Sequence, residues 1–179
     1  MLRWMAFGLL AVSTLAAAQP APPSGAWNSL AKTTWVAEGS SKPARQVYVF
    51  TDTECRYCHR LWKIMQPMLA AYPDLQVRNV LVAVISDDSQ PRAEAILSAS
   101  NPKRAFARHQ ALFEGKGLPM AKTDHPGLAQ KIEANTTVMM SYNLRGTPAM
   151  LYRTSDGLIH RVSGVPDEAK LRSIFEQAR

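Results

Sequence analysis

Apolar positions recur along this chain with two different periods, and the places where the period changes mark out its elements. Gln46 to Thr51 is a β-branched and aromatic run, and Leu75 to Ile85 is a second, almost wholly apolar from Val80 onward. Runs of this kind predict strands, the continuous one a strand covered on both faces. Between them Tyr57, Leu61, Ile64, Met65 and Met68 follow Cys55 at helical spacing, with Pro67 expected to bend the helix and Tyr72-Pro73 to stop it. Strand, helix, strand reads as a parallel βαβ unit. Upstream, Trp27, Leu30, Ala31, Thr34 and Trp35 form an i, i+3, i+4, i+7, i+8 stripe, which predicts a short helix ending near Gly39. That stripe packs either on its own domain or against a partner or second copy.

Residues 90–142 are helical in pattern. Pro91 to Ser100 forms one segment; Asn101 caps the next, with Pro102 at its first position and Phe106, His109, Gln110 and Phe113 following. A break at Gly115 to Pro119 precedes a third segment, from Gly127 to Tyr142. The chain then returns to strands at Ala149 to Arg153 and Leu158 to Ser163, joined through Ser155-Asp156-Gly157 as a hairpin, and closes with a helix over Asp167 to Ala178. No internal repeat is present.

Composition and the N-terminal pattern add a location. Residues 1–18 combine Arg3, an apolar stretch from Met5 to Leu15, and Ala16-Ala17-Ala18 ahead of Gln19, as in a cleavable secretory signal cut after Ala18; the other reading is an uncleaved anchor. No later stretch approaches the ~20 consecutive apolar residues of a spanning helix. The expected organisation is a signal at 1–18, a Pro-rich lead-in and short linker-type helix at 19–45, and one α/β domain at 46–179 with a helical insertion over 90–142. There are 21 Lys and Arg against 14 Asp and Glu, of which only Arg3 leaves with the signal. Basic residues such as Lys42, Arg78, Arg104 and Arg161 are scattered rather than interleaved with aromatics, so they read as a solvated surface and no nucleic-acid partner is expected.

Chemistry concentrates at Cys55-Arg56-Tyr57-Cys58, where the chain's two cysteines sit between the end of a strand and the start of a helix. A disulfide closing so short a loop removes little chain entropy, so stapling the fold is not its main task. A helix N-terminus offers unpaired N–H groups and a positive dipole end, which favour a thiolate and therefore reversible thiol exchange. Cys55 is expected to be the exposed nucleophile, and Cys58, one turn deeper, the residue that resolves a mixed disulfide. Arg56 brings a positive charge; Asp52 and Glu54 oppose ionisation. Tyr57 is expected to shape the contact surface. His59, four residues after Cys55, either tunes the thiolate or is an ordinary helix-surface histidine. Thr147-Pro148, opening a later strand, is a candidate cis bond, the alternative being a trans proline at the start of an edge strand. In order, the elements are βαβ, a helical insertion, then ββα. That is the thioredoxin-like layout, a central mixed sheet with the insertion added, and the Cys-x-x-Cys falls where this layout carries a redox pair.

Other readings of the same residues exist. Cys55-x-x-Cys58-His59 matches an attachment signature for c-type haem, but the preceding strand, the βαβ pattern and the distant Gly146-Thr147-Pro148 are not needed by a haem. A copper or zinc carrier would draw on the thiols, the Met139-Met140 pair and His109, His125 and His160, which are scattered. A holdase would bind unfolded clients without redox turnover. Exchange chemistry requires no bound cofactor, and none is expected.

Several stretches together resemble one known family. Val47-Tyr48-Val49-Phe50-Thr51-Asp52 with Cys55-Arg56-Tyr57-Cys58-His59, Leu81 to Ile85, Ala95 to Ala99 with Asn101-Pro102, Gly146-Thr147-Pro148-Ala149, and Gly164-Val165-Pro166-Asp167 are similar to the periplasmic disulfide isomerases DsbC and DsbG, DsbG most of all. The resemblance runs from Trp27 to the C-terminus. It implies a periplasmic thiol:disulfide oxidoreductase acting as isomerase or reductase on cysteine-containing exported proteins, or on sulfenic acids, with disulfide donation and non-redox client binding as alternatives. It also implies a cis Pro148 facing the cysteines, a loop that holds clients by strand-like backbone bonds, and regeneration by a membrane thiol reductase of the DsbD kind. Those isomerases carry an N-terminal dimerisation domain ahead of a linker helix, whereas residues 19–45 match the linker at most. The expectation is therefore a monomer or a weak dimer.

Overall fold

Along the central strand Val47 and Val49 point to one side and Tyr48 and Phe50 to the other, and all four are buried. That arrangement requires a covering layer on each face of a sheet. The computed structural model describes residues 25–115, 117–121 and 125–179. It contains a five-stranded sheet of β1 (Trp35–Gly39), β2 (Arg45–Asp52), β3 (Leu75–Val82), β4 (Ala149–Arg153) and β5 (Ile159–Ser163), in the order β1-β3-β2-β4-β5. Only β2 and β3 run parallel; β1 on β3, β4 on β2 and β5 on β4 are antiparallel.

One face is covered by α2 (Arg56–Leu69) and α6 (Glu168–Gln177): Leu61, Met65, Leu171, Ile174 and Phe175 pack on Val47, Val49, Val77 and Met150. On the other face α1 (Ala26–Ala31) and α5 (Pro126–Ser141) bring Leu30 and Met139 onto Tyr48, Phe50, Val80 and Leu151. A third cluster ties the sheet edge to the insertion. In it Val36 and Leu81 meet Ala93 and Ile96 of α3 (Ser89–Leu97), Phe106 of α4 (Pro102–Ala111) and Ile132 of α5. Local signals set the helix starts: Asn101 accepts from the Arg104 N–H at 2.9 Å, and Asp167 from the Lys170 N–H at 2.8 Å.

The expected helix after Trp27 is cut short, and Trp35–Gly39 is instead the edge strand β1, with Trp35 opposite Val80. The side chain of Thr33 bonds back to the Leu30 carbonyl, and Asn135 both accepts from the Thr34 N–H and donates to its carbonyl, so the chain leaves the helix there. The β-branched and aromatic residues that follow then favour a strand. The sheet thus begins at Trp35 rather than at Gln46. Both tryptophans pack on their own domain, Trp27 edge-on to Tyr48 and Trp35 beneath the Arg78 guanidinium. The second strand also ends sooner than its apolar run, at Val82 rather than Ile85, because β2 stops at Asp52 and the N–H groups of Val84 and Ile85 turn to the Asp52 carboxylate. α2 runs on through Pro67 to Leu69. The leader at 1–18 and most of the lead-in lie outside the described residues.

The shared third cluster makes the insertion part of the same cooperative unit as the sheet. Phe106→Ala is expected to cost about 3–5 kcal/mol of global stability, seen in a urea titration as one transition at lower midpoint. A separate early transition confined to the insertion would contradict this.

Candidate active site

β2 ends at Asp52, and the next turn delivers Cys55 as the N-cap of α2. Its sulfur accepts from the Cys58 N–H at 3.2 Å, so the thiol takes the place usually held by a capping oxygen. The Cys55 Sγ–H lies 3.4 Å from the Thr147 carbonyl, to which it donates. Thr147 precedes Pro148 through a cis peptide bond, and this loop covers the pair. Cys55, expected to be exposed, is therefore only 4 % exposed, hardly more than Cys58 at 3 %. Both are unlinked thiols.

The two thiols are electrostatically unlike. The Cys55 pKa is lowered to about 6, first by the hydrogen bond from the Cys58 side chain, against the opposing effect of burial, and then by the Thr147 side chain and the N–H groups of Cys58 and Tyr57. Burial pushes the Cys58 thiol up, and the hydrogen bond and charge at Cys55 push it further. Thr147 Oγ1 is enclosed and has no nitrogen or oxygen partner. A thiolate beside it supplies the acceptor that hydroxyl lacks.

The residues around the pair divide by what they touch. Arg56 lies over the Tyr57 ring, 4.9 Å from its centroid, and donates to its hydroxyl at 3.0 Å. It therefore dresses the surface beside Cys55. Tyr57 is 49 % exposed. His59 is buried, unlike the helix-surface reading: its ring stacks on Phe113 at 4.6 Å, and Nδ1 lies 3.0 Å from Gln110 Oε1. The Asp52 carboxylate is turned from the sulfurs and accepts from the N–H groups of Glu54, Val84 and Ile85 and from the Ser89 hydroxyl. Glu54 accepts from Arg92 Nε at 2.5 Å. The negative charges expected to oppose ionisation are thus both engaged elsewhere.

Ser89, Arg92, His109 and Gln110 were not singled out for the site by sequence reasoning, yet they hold its turn and helix in place. The available signal was that His109 and Gln110 share the buried face of α4 with Phe106, where apolar residues are the rule. Among the described residues no group of three or more His, Cys, Asp or Glu is arranged to hold a metal ion. His59 of α2 and His109 of α4 each pack against the Phe113 ring, but His125 and His160 bond elsewhere.

A buried thiol at the N-cap of the helix after a central strand, a second thiol one turn on, and a cis-proline loop against them make the thioredoxin-like arrangement. The chain matches the thioredoxin-like domain family over residues 30–179. It belongs to that family, in the DsbG/DsbC group. It is 28 % identical over 150 residues to the thiol:disulfide interchange protein DsbG of Pseudomonas aeruginosa, covering 83 % of this chain and 58 % of that protein. The Escherichia coli DsbG is 26 % identical over 149 residues, covering 83 % and 60 %. The chain thus spans somewhat under two thirds of these relatives' length. In structure it is similar to a periplasmic thioredoxin-like protein from Salmonella enterica serovar Typhimurium, with TM-score 0.69 and 19 % identity over 86 % of this chain and 95 % of that one. The catalytic domain of Proteus mirabilis ScsC gives TM-score 0.68 at 21 % identity, over 84 % and 92 %.

Since only the thiolate is nucleophilic, alkylation of Cys55 is expected to accelerate as pH rises through about 6. Cys58→Ala removes the largest stabilising contribution and should move that inflection toward the ~8.5 of a free thiol. Mass-resolved alkylation across pH 4–9 checks both; a variant with an unmoved inflection would disprove the assignment.

Proposed function

We propose that this chain is a periplasmic thiol:disulfide oxidoreductase that reduces or isomerises disulfides in exported proteins. The observation that carries the reading is the asymmetry of the pair: Cys55 is held as a thiolate near neutral pH while Cys58 is held as a thiol. The Cys55 thiolate attacks one sulfur of a client disulfide, forming a mixed disulfide and expelling the other client sulfur as a thiolate, which takes a proton from solvent. The charge on Cys55 is then gone, and with it part of what raised the Cys58 pKa. Cys58 can now lose its proton and attack Cys55 Sγ, closing the Cys55–Cys58 disulfide and releasing the second client sulfur. Two electrons pass to the client. In isomerisation a client thiol releases Cys55 instead, and the pair ends as it began.

Support for an exported location comes from the signal-like pattern of residues 1–18 and the periplasmic source of the Salmonella structure. The clients are cysteine-containing proteins, in keeping with the interchange activity in the names of the DsbG relatives. Net reduction needs a dithiol donor, for which a membrane reductase of the DsbD kind fits. Next to the site, Tyr57, Val84 and Ile85 are exposed apolar residues for client contact. One observation favours a second reading. Stabilising the thiolate stabilises the reduced form and makes the disulfide a better oxidant, which suits disulfide donation.

Cys55→Ala is expected to reduce exchange with a disulfide-containing protein such as insulin to the uncatalysed rate. Cys58→Ala should accumulate mixed disulfides, visible on non-reducing gels and lost on adding reductant. Undiminished turnover in Cys55→Ala would rule out the mechanism. Acid-quenched alkylation in the host separates the two directions: a mostly reduced pair marks a reductase or isomerase, a mostly oxidised pair a disulfide donor.

A further inference from the structure

Between the end of β2 and the nucleophile lie Thr53 and Glu54, and both are gripped by the helical insertion. His109, in the last turn of α4, is 1 % exposed. Its Nε2 lies 3.0 Å from the Thr53 carbonyl, and the Leu118 N–H reaches its Nδ1 at 3.3 Å. A backbone N–H can only donate and a carbonyl can only accept, so Nδ1 is the bare nitrogen and Nε2 carries the proton. The neutral imidazole is thus a strut of fixed polarity between two backbone segments. A second strut runs parallel to it. The Arg92 guanidinium donates to Glu54 Oε1 at 2.5 Å and to the Leu118 carbonyl. Leu118 is therefore held on both its N–H and its C=O by the same two side chains that hold Thr53 and Glu54.

The space around the ring is closed. A Cβ on Gly117, whose φ is +67°, would sit 2.5 Å from His109 Cε1 and Nδ1, so glycine is the residue that lets the strap pass over the imidazole. The charged and titratable groups facing His109 are Arg92 from α3, Glu54 from the turn and His59 from α2, and the Phe113 ring meets it edge-on. Burial, with Arg92 and His59, lowers the His109 pKa against the opposing pull of Glu54 and the Thr53 bond. The neutral form that makes both bonds is thereby favoured.

We propose that His109 is a positioning residue for the thiol chemistry, with Arg92 beside it: from the insertion it fixes the 53–54 backbone, which aims Cys55 Sγ at the N–H groups opening α2. The inference rests on the thiol-exchange reading and adds a determinant lying outside the Cys-x-x-Cys and the cis-proline loop. Loosening the strut lets the 53–54 peptides rotate, and the sulfur loses part of its alignment with the Cys58 and Tyr57 N–H groups. The thiolate is then less stabilised.

The test is the pH profile of Cys55 alkylation in the reduced full chain, which needs no client. His109→Ala is expected to slow alkylation at pH 6 by about twofold or more, an upward shift of about half a pKa unit from the wild-type inflection. His109→Gln keeps a donor for the Thr53 carbonyl and should restore most of the rate; His109→Asn can reach only the Leu118 side and should not. Gly117→Ala displaces the ring without altering it and should behave like His109→Ala. A wild-type inflection in His109→Ala overturns the proposal. If that variant does not fold, wild-type inflections in both His109→Asn and Gly117→Ala overturn it instead. Failure of the underlying reading looks different, since the wild-type protein itself would then titrate as an ordinary thiol.

Discussion

Everything at the active end of this molecule hangs on the Asp52 carboxylate. A charged group that is 1 % exposed must be met by donors, and Asp52 is met by three backbone N–H groups and one hydroxyl. Those donors belong to the turn before Cys55, the segment after β3 and the start of α3. One side chain therefore ends two strands, opens the insertion and starts the turn that carries Cys55. The parallel β2–β3 pair, which has no tight turn of its own, gets its end condition from this group.

From that point the chemistry follows by asymmetry. Two identical side chains, three residues apart, acquire opposite tendencies because one caps a helix and the other is packed inside its first turn. No cation is needed for this, and Arg56, the nearest in sequence, spends its charge on a tyrosine ring. The stabilisation comes from neutral donors of fixed direction: the Cys58 thiol, the Thr147 hydroxyl and the N–H groups of the helix start. Because Cys58 both donates to Cys55 and is raised by its charge, each step at one sulfur changes the readiness of the other.

Much of this was legible before any coordinates. The strand β2 follows a β-branched and aromatic run, β4 and β5 flank the Ser155-Asp156-Gly157 turn, and α4 begins at its Asn101-Pro102 signal, since these elements obey local rules. Local patterns give way where a long-range partner overrides them. Trp27 to Trp35 does carry a helical stripe, but Asn135, a hundred residues away, draws Thr34 out of it, and Val80 recruits Trp35 into the sheet. The apolar run to Ile85 ends early because a carboxylate from β2 takes its backbone. At the site, the cysteines and the Thr147-Pro148 loop stand out by motif. The residues holding them are ordinary polar side chains whose meaning appears only when the insertion folds back onto the turn.

The insertion's position carries a lesson about divisibility. Sheet, α2 and α6 look like a complete small fold onto which α3, α4 and α5 have been added. Yet His59, on α2 itself, finds its partners in Gln110 and Phe113, and the turn before Cys55 finds its own in Ser89, Arg92 and His109. Cutting the chain back to the bare fold would keep the two thiols and their spacing while discarding what orients them. What orients the two thiols is therefore not a four-residue motif or a helix but the whole span from β1 to α6, joined along that internal seam.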